Sequence, residues 1–318
     1  MEFFDLNVPY YESDRNVTDK AARKTSRLKH VVKAMELGYG GFAYNRILKG
    51  VTSDFDRCSI PLFPLSSIVK LAPSTSSAVK LHRGVLGLPL SAPFRQFTRL
   101  TVIVETSTQA QALNSGNPIL KSYDIVAVRP TNQVAFEHAC QISEVDVIAI
   151  DFSNKLPFKL KHPMVKAAIE RGVYFEITYS GLIMNAQTRR QVISNAKLLV
   201  DWTSGKNIII SSAAPSVSEM RGPYDVANLS SLLGLPMERA KAALSKNCRA
   251  LLAHAASKRN YVGEAIRVEL LPSVGESDTK ENQLSDWLNG NPVSRREDDL
   301  LLDDEKNSFS ASNMEISN

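Results

Sequence analysis

The sequence predicts an α/β fold built on a parallel sheet, and three observations carry the prediction. Seven short runs rich in Val, Ile, Phe and Tyr recur along the chain, most of them separated by segments with helical spacing. Strands that alternate with helices imply right-handed β-α-β crossovers and a parallel sheet. The run Ile208-Ile209-Ile210 is β-branched throughout, the mark of a strand buried on both faces. The stretch after it, Ser211 to Leu229, passes from strand to loop to helix. Ser211 and Ser212 close the strand, and Arg221 stands just before Gly222-Pro223. Pro223 suits a first helical position, Asp225 favours the positive end of the helix dipole, and Val226, Leu229, Leu232 and Leu233 recur at helical spacing. In a parallel α/β sheet the loop after a strand lies at the working face. Two hydroxyls and an arginine therefore stand where ligands bind. Hydroxyls that merely cap the strand end, beside a solvated arginine, would look the same in sequence.

The remaining elements follow in order. Phe3 to Val8 is the first strand. Val17 to Leu37 is a helix with basic positions Lys20, Arg23, Lys24, Arg27 and Lys29, stopped by Gly38. Tyr39 to Tyr44 is the second strand, entered through Gly40-Gly41. A glycine pair in front of a strand marks a turn, whereas a phosphate loop lies between strand and helix. From Lys49 to Thr98 prolines and serines break every period, and we read an insertion of short elements packed on the sheet. Strands resume at Leu100 to Glu105, Asp124 to Val128, Val145 to Asp151, Val173 to Thr178 and Asn207 to Ser212. Helices lie between most of them, at Asn132 to Ser143, Pro163 to Arg171 and Asn185 to Trp202. Pro236 begins a further helix, and Asn247 caps the last, Arg249 to Ser257. An eight-stranded barrel would need one more strand inside the insertion. Beyond Pro272 the chain is acidic and Ser/Asn-rich around REDDLLLDDE (Arg296 to Glu305), a composition that cannot bury enough surface to fold alone. We expect a folded domain over residues 1–272 and a disordered tail over 273–318.

Composition narrows the function. At 43% apolar the 318 residues can bury a sizeable core. The net charge of +5 conceals an asymmetry, because 4 of the 38 basic residues but 11 of the 33 acidic ones lie beyond Pro272. The body is left with a net of +12, which points to a polyanionic partner, nucleic acid before others. Cys58, Cys140 and Cys248 are odd in number and far apart, which argues against a zinc ribbon or disulfide framework and fits a reducing compartment. The start MEFFDLNVPYY does not read as a signal peptide, and no apolar run approaches the roughly 20 residues that span a bilayer. No membrane partner is expected. There is no G-x-S-x-G elbow and no Walker loop, and His30, His82, His138, His162 and His254 are scattered.

Several strings in order, RLTVIVE (Arg99 to Glu105), YDIVAVRP (Tyr123 to Pro130), KLPF (Lys155 to Phe158), FEITYS (Phe175 to Ser180), ISSAA (from Ile210), RGPYDVANL (Arg221 to Leu229) and NCRALL (Asn247 to Leu252), resemble the TIM-barrel protein subunit of ribonuclease P and ribonuclease MRP. The resemblance runs from about Met1 to Val268. It implies a distorted TIM-like (β/α) barrel, related to the polymerase and histidinol phosphatase superfamily, in which seven strands are usual. In that superfamily the first strand ends D-L-H-x-H, with both histidines on metal. Here the matching residues are Asp5-Leu6-Asn7-Val8-Pro9, so Asn7 and Pro9 stand where the histidines would be. Proline offers no side-chain ligand and asparagine binds transition metals poorly. No metal and no catalytic residue is therefore expected in this chain. Asp5, Asp151 and Glu176 remain possible oxygen ligands, more readily explained as hydrogen-bonding groups in the barrel mouth together with Asn7, Ser211 and Ser212.

The resemblance also implies partners. These are the ribonuclease P or MRP RNA, which carries the chemistry with its own bound magnesium, a small RRM-like protein subunit and other proteins of the particle, and precursor tRNA indirectly, in the nucleus and nucleolus. RNA contacts need cations at loop and helix starts, with arginine suited because its planar fork matches phosphate. Arg99, Arg129, Lys206, Arg221 and Arg249 are the candidates. Arg99 and Lys206, at strand starts, are expected at the rim opposite Arg129 and Arg221, so contacts would be spread over several faces. The rival readings are a divergent metal phosphoesterase relying on Asp5 or Glu176 and a protein scaffold without RNA contact.

Overall fold

The computed structural model describes residues 2–10, 20–63, 94–114 and 116–260. The expected acidic tail and most of the insertion (64–93) lie outside the described residues, as does the expected helix start at 17–19.

Seven strands form one all-parallel sheet in sequential order. They are β1 (Phe4–Pro9), β2 (Gly41–Lys49), β3 (Arg95–Val104), β4 (Ile125–Pro130), β5 (Val147–Ala149), β6 (Tyr174–Thr178) and β7 (Ile208–Ser211). The helices are α1 (Lys20–Glu36), α2 (Ser107–Gln111), α3 (Gln133–Gln141), α4 (His162–Glu170), α5 (Ser180–Met184), α6 (Ala186–Thr203), α7 (Pro223–Ser230), α8 (Met237–Leu244) and α9 (Lys246–Asn260). The Ile208–Ile210 run shows how the chain builds two cores at once. Ile208 and Ile210 join the large cluster between sheet and helices, while Ile209 joins a smaller one inside the curled sheet. Pro223 opens α7 at its first turn, as its ring geometry favours.

Two strands outrun the expectation. β2 extends to Lys49 and β3 begins at Arg95, because the two pair without a break from Gly41↔Arg95 to Lys49↔Ile103. The start of this ladder brings the backbones close. A Cβ added at Gly41 would lie 2.7 Å from the Arg95 carbonyl oxygen, so glycine here serves close approach of two strands and not a turn.

The sheet curls into a barrel, but no ladder joins β7 to β1 among the described residues. A bulge between Asp5 and Val8 turns β1 toward β7 instead. The Ala213 N–H donates to the Asn7 carbonyl at 2.9 Å, and the Ser212 N–H donates to Asp5 Oδ1 at 3.0 Å. Among the described residues the Asp5 carboxylate, this backbone bond and the Ser212 hydroxyl, which donates to the Asn7 carbonyl at 3.4 Å, close the seam.

The opposite end from the strand C-termini is plugged by α9. Cys248, Leu251 and Leu252 enter the inner cluster with Phe4, Phe97, Ile125 and Val147. The far end of the helix is latched to the segments that precede β4 and β5: Arg259 Nη1 donates to Asp124 Oδ1 at 2.8 Å, and Lys258 Nζ donates to the Glu144 carbonyl at 2.9 Å and to Asp146 at 3.2 Å. The expected cap at Asn247 is corrected here. The helix already starts at Lys246, and the Asn247 amide donates to the Ile208 carbonyl at 2.7 Å, tying the plug to β7. Among the described residues no helix is long and apolar enough to cross a membrane.

Candidate functional site

Barrel interiors are filled by layers of inward side chains, and the layer above the apolar one is polar here. Phe97, Arg99 and Thr101 share the inward phase of β3. Arg99 is 0% exposed. Its guanidinium reaches Glu176 on β6 as a fork, Nη1 to Oε1 and Nη2 to Oε2, both at 2.6 Å. Nη1 also donates to the Leu6 carbonyl at 2.9 Å and Nε to Thr101 Oγ1 at 3.2 Å. Glu176 Oε1 accepts two further bonds, from Ser211 Oγ at 2.6 Å and Asn7 Nδ2 at 3.1 Å. Asn45 extends the network: its amide donates to Asn7 Oδ1 at 2.8 Å, and its oxygen accepts from Thr101 Oγ1 at 2.7 Å. Five strands thereby meet in one buried, hydrogen-bonded layer.

Electrostatics follow from this geometry. Burial pushes the Glu176 carboxyl up, but the Arg99 charge, its two hydrogen bonds, Ser211 and the Arg129 charge outweigh it, and the group is held below the usual carboxylate range. Asp5 behaves oppositely. Burial raises it to about 6, against the hydrogen bonds from Ser212 and Asn7, and the Glu176 charge adds to the rise. Asp5 Oδ2 has no hydrogen-bond partner.

The predicted site residues divide sharply. Asn7, Glu176 and Ser211 are brought together, buried in the network and not lining an open mouth. Ser212 lies beside them but serves the seam: its hydroxyl accepts from the Ala214 N–H at 3.2 Å and donates to the Asn7 carbonyl at 3.4 Å. The assignment of Arg99 to an RNA-facing rim is corrected. β3 begins at Arg95, so Arg99 falls mid-strand and inward, with its charge spent on Glu176. Arg129, near the end of β4, is partly exposed. Lys206, ahead of β7, and Arg249, on the outer side of the plugging helix, are exposed at the closed end. Arg221 is half-buried in the loop beside the seam. The Tyr39 hydroxyl donates to its carbonyl at 2.9 Å, and its N–H donates to the Tyr179 hydroxyl at 3.1 Å. Its Nη1 bonds the Ser218 and Met220 carbonyls at 2.7 and 2.9 Å. Sequence reasoning missed Asn45 and Thr101. Their signal was a polar side chain on the inward phase of an otherwise apolar strand.

Glu176, the one carboxylate in the buried layer, is paired and fully hydrogen-bonded. Among the described residues no three His, Cys, Asp or Glu side chains converge as a metal site would require. The positive charge between Glu176, Asn7 and Leu6 is the guanidinium of Arg99.

The fold and site define a class: a seven-stranded parallel (β/α) barrel, plugged at one end and cross-braced inside by an ion pair. The chain belongs to the RNase P subunit p30 family, whose model matches residues 2–260. It is 60% identical over 316 residues to the protein GAMETOPHYTE DEFECTIVE 1 of Arabidopsis thaliana, covering 99% of this chain and 54% of that protein. It is 44% identical over 173 residues to ribonuclease P protein subunit p30 of Mus musculus, covering 54% of this chain and 65% of that one. It is 39% identical over 260 residues to ribonuclease P protein subunit drpp30 of Dictyostelium discoideum, covering 81% and 66%. The chain thus spans between half and two thirds of these relatives' lengths. Among solved structures, a chain of archaeal ribonuclease P bound to mature tRNA shares the fold, with TM-score 0.54 and 12% identity over 85% of this chain and 100% of that one.

Proposed function

We propose that this chain is an accessory protein subunit of the ribonuclease P ribonucleoprotein, of ribonuclease MRP, or of both, working in the nucleus and nucleolus. It supports RNA-catalysed removal of the 5′ leader from precursor tRNA, or processing of ribosomal RNA precursors, and does not catalyse by itself. The chemistry belongs to the partner RNA and the magnesium that RNA binds. The chain contributes phosphate-neutralising cations, Lys206, Arg249, Arg221 and Arg129, and surfaces for a small RRM-like subunit and other proteins of the particle.

The observation that carries this reading is the Arg99–Glu176 pair. The pair commits the central carboxylate of the barrel to a structural ion pair, which favours a role for the outer surface. There Lys206 and Arg249 are exposed, and the body of the chain is strongly basic. Neutralising phosphates releases counterions and makes affinity fall steeply with salt.

The test is capture of the full chain from cell extract with sequencing of the bound RNA, an assay of precursor-tRNA cleavage, and filter binding of the recovered RNA across a salt series. Recovery of a ribonuclease P or MRP RNA with salt-dependent affinity supports the reading, and the RNA's identity separates the particles. RNA recovery at background, with no salt-dependent binding, would sink it.

A further inference from the structure

Above the buried polar layer the barrel mouth holds one more charge. Arg129 lies two residues past Ala127, a member of the inner apolar cluster, and so shares the inward phase of β4. Its ladder partner on β3 is Ile103, and on its other side β5 ends at the small Ala149. Neither side chain offers an acceptor. Beyond Ala149 the ladder reaches Glu176, whose charge Arg129 feels. Both Glu176 oxygens are committed already, Oε1 to Arg99, Asn7 and Ser211, and Oε2 to Arg99. Asp151, just past β5, gives its oxygens to the Ser153 N–H and the Asn154 amide of its own turn. Arg129 Nε is buried with no hydrogen-bond partner.

Two independent facts therefore converge. A buried N–H donor without an acceptor is costly, and native structures rarely leave one so. Arg99 already takes both Glu176 oxygens, so Arg129 meets that carboxylate only as a charge at longer range and not as a hydrogen-bond partner. Both deficits are met by one oxyanion entering from solvent at the strand C-termini. A guanidinium presenting Nε and a terminal N–H matches two oxygens of a phosphate.

We propose that Arg129 is a single-phosphate receptor at the barrel mouth, occupied by a backbone phosphate of the partner RNA. The proposal rests on the RNA-binding reading above and adds to it a built site, distinct from the exposed cations at the closed end.

The experiment uses the full chain labelled at arginine nitrogen, with the Nε–Hε resonance of Arg129 assigned through Arg129→Lys. Inorganic phosphate and acetate are titrated separately, and filter binding of ribonuclease P RNA is measured over a salt series for wild type, Arg129→Gln and Arg129→Lys. The expected result is a resonance shift with phosphate and little with acetate. Arg129→Gln should bind RNA about tenfold more weakly, with a salt slope lower by about one. Arg129→Lys should keep the slope and lose part of the affinity. If wild type binds RNA and Arg129→Gln binds it equally well, the receptor is overturned while the RNA reading stands. If wild type binds no RNA but phosphate moves the resonance, the site takes free phosphate and the RNA assignment falls. An equal shift with acetate assigns the site to a carboxylate of a protein partner and overturns the proposal. Should Arg129→Gln fail to fold, Arg129→Lys and the wild-type titrations decide alone.

Discussion

Replacing Arg99 by methionine separates a structural cation from an RNA-binding one. The side chain keeps most of its length and apolar stem but leaves Glu176 ionised at 1% exposure, with only Asn7 Nδ2 and Ser211 Oγ as donors. Removing one partner of a buried, hydrogen-bonded pair costs about 3–5 kcal/mol, because the survivor's charge is left uncompensated. For a domain of this size that corresponds to a fall in Tm of roughly 6–20 °C. The sharper expectation concerns a second change. In Arg99→Met/Glu176→Gln no charge remains in the layer, while Gln Oε1 still accepts from Asn7 and Ser211. The double variant should therefore be more stable than Arg99→Met alone by about 2 kcal/mol, since neutralising the stranded carboxylate removes most of the penalty. Urea unfolding followed by far-UV circular dichroism, with unchanged m, measures all three proteins. A loss below about 1 kcal/mol in Arg99→Met, or a double variant no better than the single, would refute the buried-pair argument. A folded Arg99→Met protein with a reduced RNA salt slope and unaltered stability would return Arg99 to the surface role its sequence position first implied.

Other expectations follow from the same geometry. Asp5 has a folded value near 6 against 3.8 ordinarily, so its proton uptake favours the folded state below about pH 4 and that contribution disappears as pH rises through 6. Relative to Asp5→Asn, wild type should therefore lose about 2 kcal/mol between pH 4 and pH 7, and urea melts showing a constant gap over that window would contradict it. Glu176 acts in the opposite sense: its contribution is present above the ordinary glutamate value and is lost as pH falls through its depressed one. Gly41→Ala drives a Cβ against the Arg95 carbonyl and should cost about 1–3 kcal/mol in thermal unfolding; a neutral result would mean the β2–β3 ladder yields more easily than its register implies. Lys206→Gln and Arg249→Gln should each lower the RNA salt slope by about one while leaving Tm unchanged, and slopes equal to wild type would remove the closed end from the RNA surface.

Much of the fold was legible because its strands are buried on both faces and its helices alternate with them. Runs such as Ile208–Ile210 and Val147–Ala149 announce themselves by composition. β3 was read short because Arg95, Gln96 and Arg99 interrupt the apolar run. The informative pattern was alternation, with Phe97, Arg99 and Thr101 on one phase. A lone arginine inside one strand and a lone glutamate inside another, each flanked by apolar residues, ask for one another. The bulge after Asp5 and the closure through Ser212 were not legible, since both depend on how far β7 stands from β1 once the sheet has curled. Asn247 misled for a related reason. An asparagine at a helix start ordinarily caps it, but here its amide finds the Ile208 carbonyl across the barrel floor. The helices Ser107–Gln111 and Ser180–Met184 are too short to show a period.

The division of charge between inside and outside has a consequence for how any variant of this family member reads. Inside, Arg99 satisfies Glu176, and the network spanning β1, β2, β3, β6 and β7 is buried from solvent. A change there alters the cost of folding and reaches RNA only through the fraction folded, which leaves the salt slope intact. Outside, Lys206 and Arg249 touch no partner whose loss would destabilise the barrel, so their removal alters the slope and leaves unfolding alone. Arg129 stands at the boundary, inward by strand phase yet partly open to solvent, and is the position expected to move both. Bound phosphate should raise the Tm of wild type through mass action and fail to raise that of Arg129→Gln, whereas Arg99→Met should keep the phosphate response at its lowered Tm.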